Sequence, residues 1–297
     1  MRIVIAGASG LIGTALREAY ERDGDTVVRL VRRAPVTPNE LRWDPATVDP
    51  ALLAGADVVI NLAGVGIGDH RWTRHHRDAI RESRVVAART IALAAAAADP
   101  APGVLLSMSG IRFYGIDRGD EVLTETSTPG PAGLLVTVAR EWEAATAPAE
   151  AAGVRVCYLR PGLVLSRRGG LLPPILRIFR LGIGISVGAG REYWSYLGLT
   201  DTVRAIQFLG REPAAAGPYN ISSPYPLPNR ELMRVLGKMT GARVTVPLPL
   251  PLLRLTLGGI ATEVFGGLRV LPSRLQEAGF SFTHPDAEST LKAALAD

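Results

Sequence analysis

A doubly wound α/β fold, with a parallel sheet covered by helices on both faces and a smaller C-terminal lobe, is the fold class this sequence predicts. Three observations carry that reading. Short apolar runs alternate with stretches of helical period through the first 165 residues, a glycine cluster stands at the first strand-to-helix junction, and beyond residue 165 the alternation gives way to Gly- and Pro-rich connectors.

Taken in order, RIVIA (Arg2–Ala6) is an apolar run ending in glycines, and Leu11–Tyr20 continues it at helical spacing. TVVRLV (Thr26–Val31) and DVVINLAG (Asp57–Gly64) read as the next strands, followed by a long helix over Arg74–Ala98. GVLLSMS (Gly103–Ser109) is a strand, 134–152 a helix, and VRVCYLRPG (Val154–Gly162) a further strand. Uninterrupted apolar strands separated by helices are strands buried on both faces, which is the condition of a parallel sheet. A helix holding Arg177 and Arg180 is expected within 169–190, while SSPYPLP (Ser222–Pro228) and PLPLP (Pro247–Pro251) read as connectors. The expected division is 1–165 with 197–221 for the sheet domain, and 166–196 with 222–297 for the smaller lobe.

With 297 residues, 47% hydrophobic and 21% charged, the chain can form one large domain or two coupled ones, and long disorder or a fibrous repeat is excluded. Cys157 is the single cysteine, so neither an intrachain disulfide framework nor a cysteine-built zinc site is available. A reducing, cytoplasmic setting is the expectation, and the opening MRIVIAG lacks the basic, apolar and small-residue order of a secretory leader. The longest apolar stretch, Val246–Ala261, holds three prolines and Arg254 and makes a poor membrane span. The net charge of +5 comes from basic residues scattered among acidic ones, without interleaved aromatics, so no nucleic-acid partner is expected. Lys238 and Lys292 are the only lysines.

Gly7, Gly10 and Gly13 in GASGLIG lie between the first strand and the first helix. Glycines at this spacing permit a tight turn, close approach of backbone to a pyrophosphate, and close helix-on-strand packing, while the helix N-terminus favours negative charge. The loop therefore predicts a Rossmann dinucleotide site formed by Gly7, Ser9, Gly10, Leu11, Ile12 and Gly13. An NAD site carries an acidic residue roughly twenty residues further on, against the ribose hydroxyls. Here the second strand runs into Arg32 and Arg33, whose guanidinium groups can fork onto a 2′-phosphate, so NADP is the expected cofactor. Leu62, Ala63 and Gly64 end another strand in small residues, where backbone can approach the adenosine side of the same nucleotide.

Together with SMSGIRFYG (Ser107–Gly115), LRPG (Leu159–Gly162) and GPYNISSP (Gly217–Pro224), these segments resemble the extended short-chain dehydrogenase/reductases, the NAD-dependent epimerase/dehydratase superfamily. DHRWT (Asp69–Thr73), IRESRV (Ile80–Val85), REWEAA (Arg140–Ala145) and RVLPSRLQEAGFSF (Arg269–Phe282) look like one subfamily, the epimerase-like oxidoreductases that end in a short domain of unknown function. The resemblance covers nearly the whole chain. It implies an NADP-type cofactor along the carboxyl ends of the strands, with Ser107, Arg160 and Pro161 among its contacts, and a small organic substrate beneath the smaller lobe. Some relatives are labelled sugar-nucleotide epimerases and others cell-division inhibitors. An enzyme and a non-catalytic NADP-binding protein acting through a protein partner therefore both stay open, as does a homodimer.

The superfamily's proton chemistry implies a Tyr-x-x-x-Lys pair on the helix over 134–152, assisted by a serine or threonine after the preceding strand. Aligned on Glu143, those two positions hold Leu135 and Ala139, and no lysine occurs before Lys238. Ser109 stands at or next to the serine position. The catalytic candidates are Ser109, Arg71 as a holder of a substrate carboxylate or phosphate, and Tyr114 as an acid, although packing is the more ordinary role for a tyrosine in an FYG turn. Asp69, Arg71 and Trp72 follow a Gly-rich loop at a strand's carboxyl end, where ligands collect in open α/β sheets, and Trp72 can cover the site. His70, His75 and His76 lie close together without a cysteine or suitably spaced carboxylate, so no metal site is expected. Asp201, which relatives often precede with histidine where this chain has Gly198, is expected to cap the following helix, and Trp142 and Glu143 to serve at a helix crossing.

Overall fold

The computed structural model describes residues 1–131 and 133–297, without the side chains of residues 254, 256 and 257. The first half runs β1 (Arg2–Ala6), α1 (Leu11–Arg22), β2 (Thr26–Val31), β3 (Glu40–Arg42), β4 (Val58–Asn61), α2 (Arg74–Ala97), β5 (Leu105–Met108), β6 (Val122–Leu123), α3 (Leu134–Ala144), α4 (Ala147–Ala151) and β7 (Val156–Pro161). The second half runs β8 (Leu163–Leu165), α5 (Leu172–Phe179), β9 (Ile183–Val187), β10 (Tyr193–Trp194), β11 (Tyr196–Gly198), α6 (Leu199–Arg211), β12 (Gly217–Ile221), β13 (Leu227–Pro228), α7 (Asn229–Thr240), β14 (Val244–Leu248), α8 (Leu250–Leu257), α9 (Ile260–Phe265), β15 (Arg269–Val270), α10 (Ser273–Glu277) and α11 (Ala287–Ala296).

Seven strands form the central sheet in the order β12-β7-β5-β4-β1-β2-β3, with every neighbouring pair parallel. The chain order turns back between β1 and β4, which opens a crevice at the carboxyl ends of those strands. Register aligns Ala6 with Asn61 and Asn61 with Ser107, so these residues share the edge that faces the crevice.

Strand periodicity divides the core in two. Ile3, Ile5, Val58, Ile60 and Leu106 face a layer made by Leu16 and Tyr20 of α1 and Ile206 and Leu209 of α6. Val4, Val59, Leu105 and Val156 point the other way, onto Ala87, Ile91 and Ala95 of α2. Alanines at 87 and 95 let α2 lie close on the sheet, and the Thr73 hydroxyl caps its start by accepting the His76 N–H at 3.2 Å. A third core joins Leu172, Phe179, Val187, Trp194, Leu236 and Leu291 in the C-terminal half.

The helix expected over 134–152 is two helices, α3 and α4. Pro148 is the physical reason, because it has no N–H to continue the ladder and its ring crowds the carbonyl four residues back, at Ala144. Asp201 also differs from expectation. Gly198 is the N-cap of α6, and Asp201 lies inside its first turn, fully buried, accepting the N–H groups of Thr283 and His284 at 3.0 and 2.7 Å. Its carboxylate thus ties the C-terminal segment to the sheet domain. No helix among the described residues is long and apolar enough to cross a membrane.

Candidate functional site

The β1–α1 loop is built of backbone with almost no side chain. Gly7 has φ +83°, and a Cβ there would lie 2.7 Å from the carbonyl carbon and oxygen of Leu62 and 3.0 Å from the Ala63 nitrogen. The loop therefore rests directly on the backbone leaving β4. A Cβ on Gly13 would overlap the Gly7 carbonyl oxygen, so the first turn of α1 is held against the loop by the same lack of bulk. Gly10 caps α1 without a side-chain hydrogen bond, and the first turn carries no acidic residue. Its leading N–H groups and the positive end of its dipole are left to an anion from outside. Ser9 and Gly10 are exposed, Leu11 and Ile12 half-buried, and Leu62 and Ala63 half-buried beside the exposed Gly64.

At the end of β2 the two arginines part company. Arg33 is committed to Glu40, donating to its two oxygens at 2.8 and 2.6 Å, while Arg29 meets the same carboxylate at 3.0 Å. The Arg33 hydrogen bonds, with a further one from the Val36 N–H, hold the Glu40 carboxyl down at about 2. The expectation that Arg33 takes a 2′-phosphate is corrected accordingly: its fork is already filled. Arg32 instead lines an open cleft of about 810 Å³ with Arg42, Trp43, Asp44, Thr47 and Leu52. Arg42 is the residue that sequence reasoning missed. It lies opposite Val31 in the β2–β3 pairing, and its strand is only three residues long, too short to register as a periodic run.

Deeper along the crevice, Asn61 and Ser107 are buried side by side. Asn61 Oδ1 accepts the Ala63 N–H at 3.1 Å, which fixes the turn after β4, while Asn61 Nδ2 and the Ser107 hydroxyl have no hydrogen-bond partner among the described residues. Pro161, at the end of β7, is half-buried.

Ser109 opens a chain of buried polar groups. Its hydroxyl donates to Glu143 Oε1 at 2.7 Å, and Arg160 donates to both Glu143 oxygens at 2.8 and 2.7 Å. Arg160 Nη1 also donates to the Tyr114 hydroxyl at 2.8 Å, which donates in turn to Asn220 Oδ1 at 2.7 Å, and the Asn220 N–H reaches Glu125 at 3.0 Å. The guanidinium stacks 3.6 Å from the centre of the Phe113 ring. Two expectations change here. Arg160 spends its guanidinium within this cluster, because Glu143 on α3 offers a carboxylate matched to its fork. Tyr114 is fully buried with its hydroxyl engaged as both donor and acceptor, and burial, opposed by Arg160, pushes its pKa up to about 12. A phenol so placed is a packing and hydrogen-bonding residue, not an acid facing a substrate. Burial also raises the Glu125 carboxyl, whose Oε2 has no hydrogen-bond partner among the described residues.

The loop after β4 braces itself. The Gly66 N–H donates to Asp69 at 3.0 Å, and the Trp72 indole N–H to the Ile67 carbonyl at 2.9 Å. Trp72 reaches the smaller lobe, since a Cβ on Gly259 would lie 3.7 Å from its ring. Arg71 is exposed, and among the described residues no carboxylate pairs with its guanidinium. His70 and His76 meet edge to face at 5.4 Å, and the described residues include no group of three His, Cys, Asp or Glu able to hold a metal. On α3, Leu135 and Ala139 are buried. The N–H groups of Leu134 and Leu135 are taken by Glu263 of α9, at 2.9 and 2.6 Å, and Arg112 donates to the Val264 and Gly266 carbonyls. The segment from Glu263 to Gly266 is thereby fastened to the start of α3 and to Arg112.

Residues 3–222 match the model of the NAD dependent epimerase/dehydratase family, and residues 248–294 match a domain of unknown function, DUF1731. An epimerase family protein of Mycobacterium bovis is 39% identical over 285 residues, which cover 95% of this chain and 93% of the relative. A human epimerase family protein crystallised with NADPH superposes with a TM-score of 0.91 at 26% identity, covering 99% of each chain. A nucleoside-diphosphate sugar epimerase of Corynebacterium glutamicum superposes with a TM-score of 0.83 at 32% identity, covering 99% of this chain and 58% of that longer one.

Proposed function

The chain belongs to the NAD dependent epimerase/dehydratase family, and from that premise we propose that it is an NADP(H)-dependent oxidoreductase or epimerase-like enzyme for a small organic substrate, working without a Tyr-x-x-x-Lys pair. The observation that carries this reading is the uncapped N-terminus of α1 pressed against the backbone of Leu62 and Ala63, a cradle that any Cβ at Gly7 would fill. Gly7, Ser9, Gly10, Leu11, Ile12 and Gly13 hold the pyrophosphate, Leu62, Ala63 and Gly64 face the adenosine side, and Arg32 with Arg42 takes the 2′-phosphate. A nicotinamide nucleotide held there supplies or accepts a hydride. Ser107 and Asn61 offer unspent polar atoms within the crevice, and Pro161 bounds it. The NADPH of the human relative supports the choice of cofactor.

On the substrate side, Ser109 orients a polar group through a hydroxyl fixed by Glu143, Arg71 holds an anion, and Trp72 covers the opening. The smaller lobe, 166–196 with 222–297, closes the site from above. Leu135 and Ala139 cannot ionise, so the proton comes from water, from the substrate or from another pocket group. That same absence favours a second reading, a non-catalytic NADP-binding protein acting through a protein partner. Titration with NADPH and NADH, then NADPH oxidation over a panel of carbonyls, enones and sugar nucleotides, separates the two. Turnover on any member supports the enzyme; tight cofactor binding with no turnover on all of them supports the binder.

A further inference from the structure

Arg84 belongs to α2, on the turn that faces the exit from β4, and only 8% of it is exposed. Nη1 donates to the Ile80 carbonyl and Nη2 to the Val65 carbonyl, both at 3.0 Å, and the guanidinium carbon lies 5.2 Å from the centre of the Trp142 ring. A Cβ on the exposed Gly64 would come within 3.1 Å of Arg84 Cγ and Cζ, so the charge lies immediately beneath that glycine. Among the described residues no carboxylate forms an ion pair with Arg84. Asp69 is the acid whose charge acts on it, and burial draws its pKa down to about 10.

An unpaired buried cation is destabilising, and two carbonyls and an indole face offset only part of that cost. The buried Arg160 and the half-buried Arg112 have evident structural duties. Arg160 pairs with Glu143, and Arg112 fastens two segments through the carbonyls of Ile116, Val264 and Gly266. Arg84 joins only its own helix to the residue after Gly64. Position supplies the reason for its charge. Leu135, Ala139 and Trp142 fall at i, i+4 and i+7 on α3 and so share one face of that helix. Arg84 lies over Trp142, bringing from α2 a cation to the face on which a lysine at 139 would have placed one.

Resting on the reading of the site as an NADP(H) enzyme, we propose that Arg84 is a specificity-determining residue that supplies the fixed positive charge of the site, and that the substrate beside the cofactor is a small carboxylate. Arg84 acts through its field and by holding Val65, so it is a positioning residue. Arg71, exposed at the rim, makes the direct contact, and Asp69 moderates the potential between them.

The test uses the full chain loaded with NADPH and three carboxylate–amide pairs of matched shape: propionate and propionamide, succinate and succinamide, benzoate and benzamide. Binding is read from the cofactor's fluorescence. In the wild type at least one carboxylate binds about tenfold or more tightly than its amide. With NADPH kept saturating for each variant, Arg84→Met brings that ratio to about one, Arg84→Lys keeps most of the preference, and Asp69→Asn increases it by about threefold. No preference in any pair, including no binding by any probe, overturns the proposal, as does a preference that survives Arg84→Met. If Arg84→Met does not fold, the exposed Asp69→Asn decides, and an unchanged or weakened preference overturns the proposal. Failure of NADPH itself to bind in the first titration is instead the failure of the underlying functional reading.

Discussion

Ser109 donates its hydroxyl to Glu143 Oε1 at 2.7 Å, and the same oxygen accepts Arg160 Nε at 2.8 Å. The hydroxyl proton is thereby committed to Glu143, and the oxygen's lone pairs are left to accept. Ser109 can orient a donor on the substrate but gives up a proton only by leaving Glu143. A positioned general acid contributes about a hundredfold to ten-thousandfold in rate, so Ser109→Ala is expected to lower turnover by a smaller factor, about tenfold, without abolishing it. NADPH oxidation with any active carbonyl compound measures this, and loss to background would make Ser109 the proton donor.

On the proposed assignment, cofactor preference follows Arg32 and Arg42, which line the cleft and form no ion pair among the described residues. Arg32→Ala and Arg42→Ala are each expected to weaken NADPH relative to NADH by about 1.5–3 kcal/mol, the range for hydrogen bonds to charged groups. Arg33→Ala leaves the NADPH-to-NADH ratio unchanged, because its guanidinium serves Glu40. Parallel titrations of the three variants with both nucleotides check the assignment.

Arg33→Ala acts on stability instead, with a definite pH dependence. The Glu40 carboxyl is held at about 2, below its ordinary 4.5, so its ionised form stabilises the fold above pH 4.5 and that stabilisation is lost as pH falls toward 2. The loss of stability in Arg33→Ala is therefore full at pH 7 and shrinks on acidification below 4.5. Urea unfolding at pH 7, 4.5 and 3 reads the trend.

Glu125 works in the opposite sense. Burial raises its carboxyl above 4.5, so the favourable protonated form is complete below pH 4.5 and its contribution is lost as pH rises through the folded value. Glu125→Gln keeps an oxygen for the Asn220 N–H and removes the charge. It is expected to raise the Tm at pH 7 and leave it unchanged at pH 4, as thermal scans at the two pH values show.

Arg160→Met strands the Glu143 carboxylate in the interior. Breaking a buried pair from one side costs about 3–5 kcal/mol, whereas replacing both partners is far milder. Arg160→Met alone should lose that much stability in urea, and Arg160→Met with Glu143→Gln should recover a large part of it. Equal losses in the single and double variants would mean that the packing of Arg160 on Phe113 matters more than the ion pair.

Strands are legible in this chain because the sheet is buried on both faces, so that VVI before Asn61 stands out as an apolar run and TVVRLV is broken by Arg29 alone. The glycine loop is equally visible, since the demand for backbone contact at Gly7 and Gly13 admits no substitute. Partner choice is what composition and periodicity do not disclose. Arginine's reach lets Arg33 turn to Glu40 seven residues on, and lets Arg160 turn inward to Glu143 on a different element. Its place at the end of the second strand makes Arg33 look like a ligand for a nucleotide, and the family resemblance implies the same of Arg160. Arg42 and Glu263 were invisible for the related reason that their positions depend on pairings across the fold, between β2 and β3 and between α9 and α3.

The carboxylate that closes the start of α3 comes from a segment that reads as an appendage at the end of the chain. Glu263 completes a helix begun some 130 residues earlier, so this C-terminal segment is not a cassette. Exchanging it between relatives would succeed only where the recipient's helix begins at the same height, and a boundary drawn at residue 248 would leave the preceding part of the chain with an open helix end at Leu134 and Leu135.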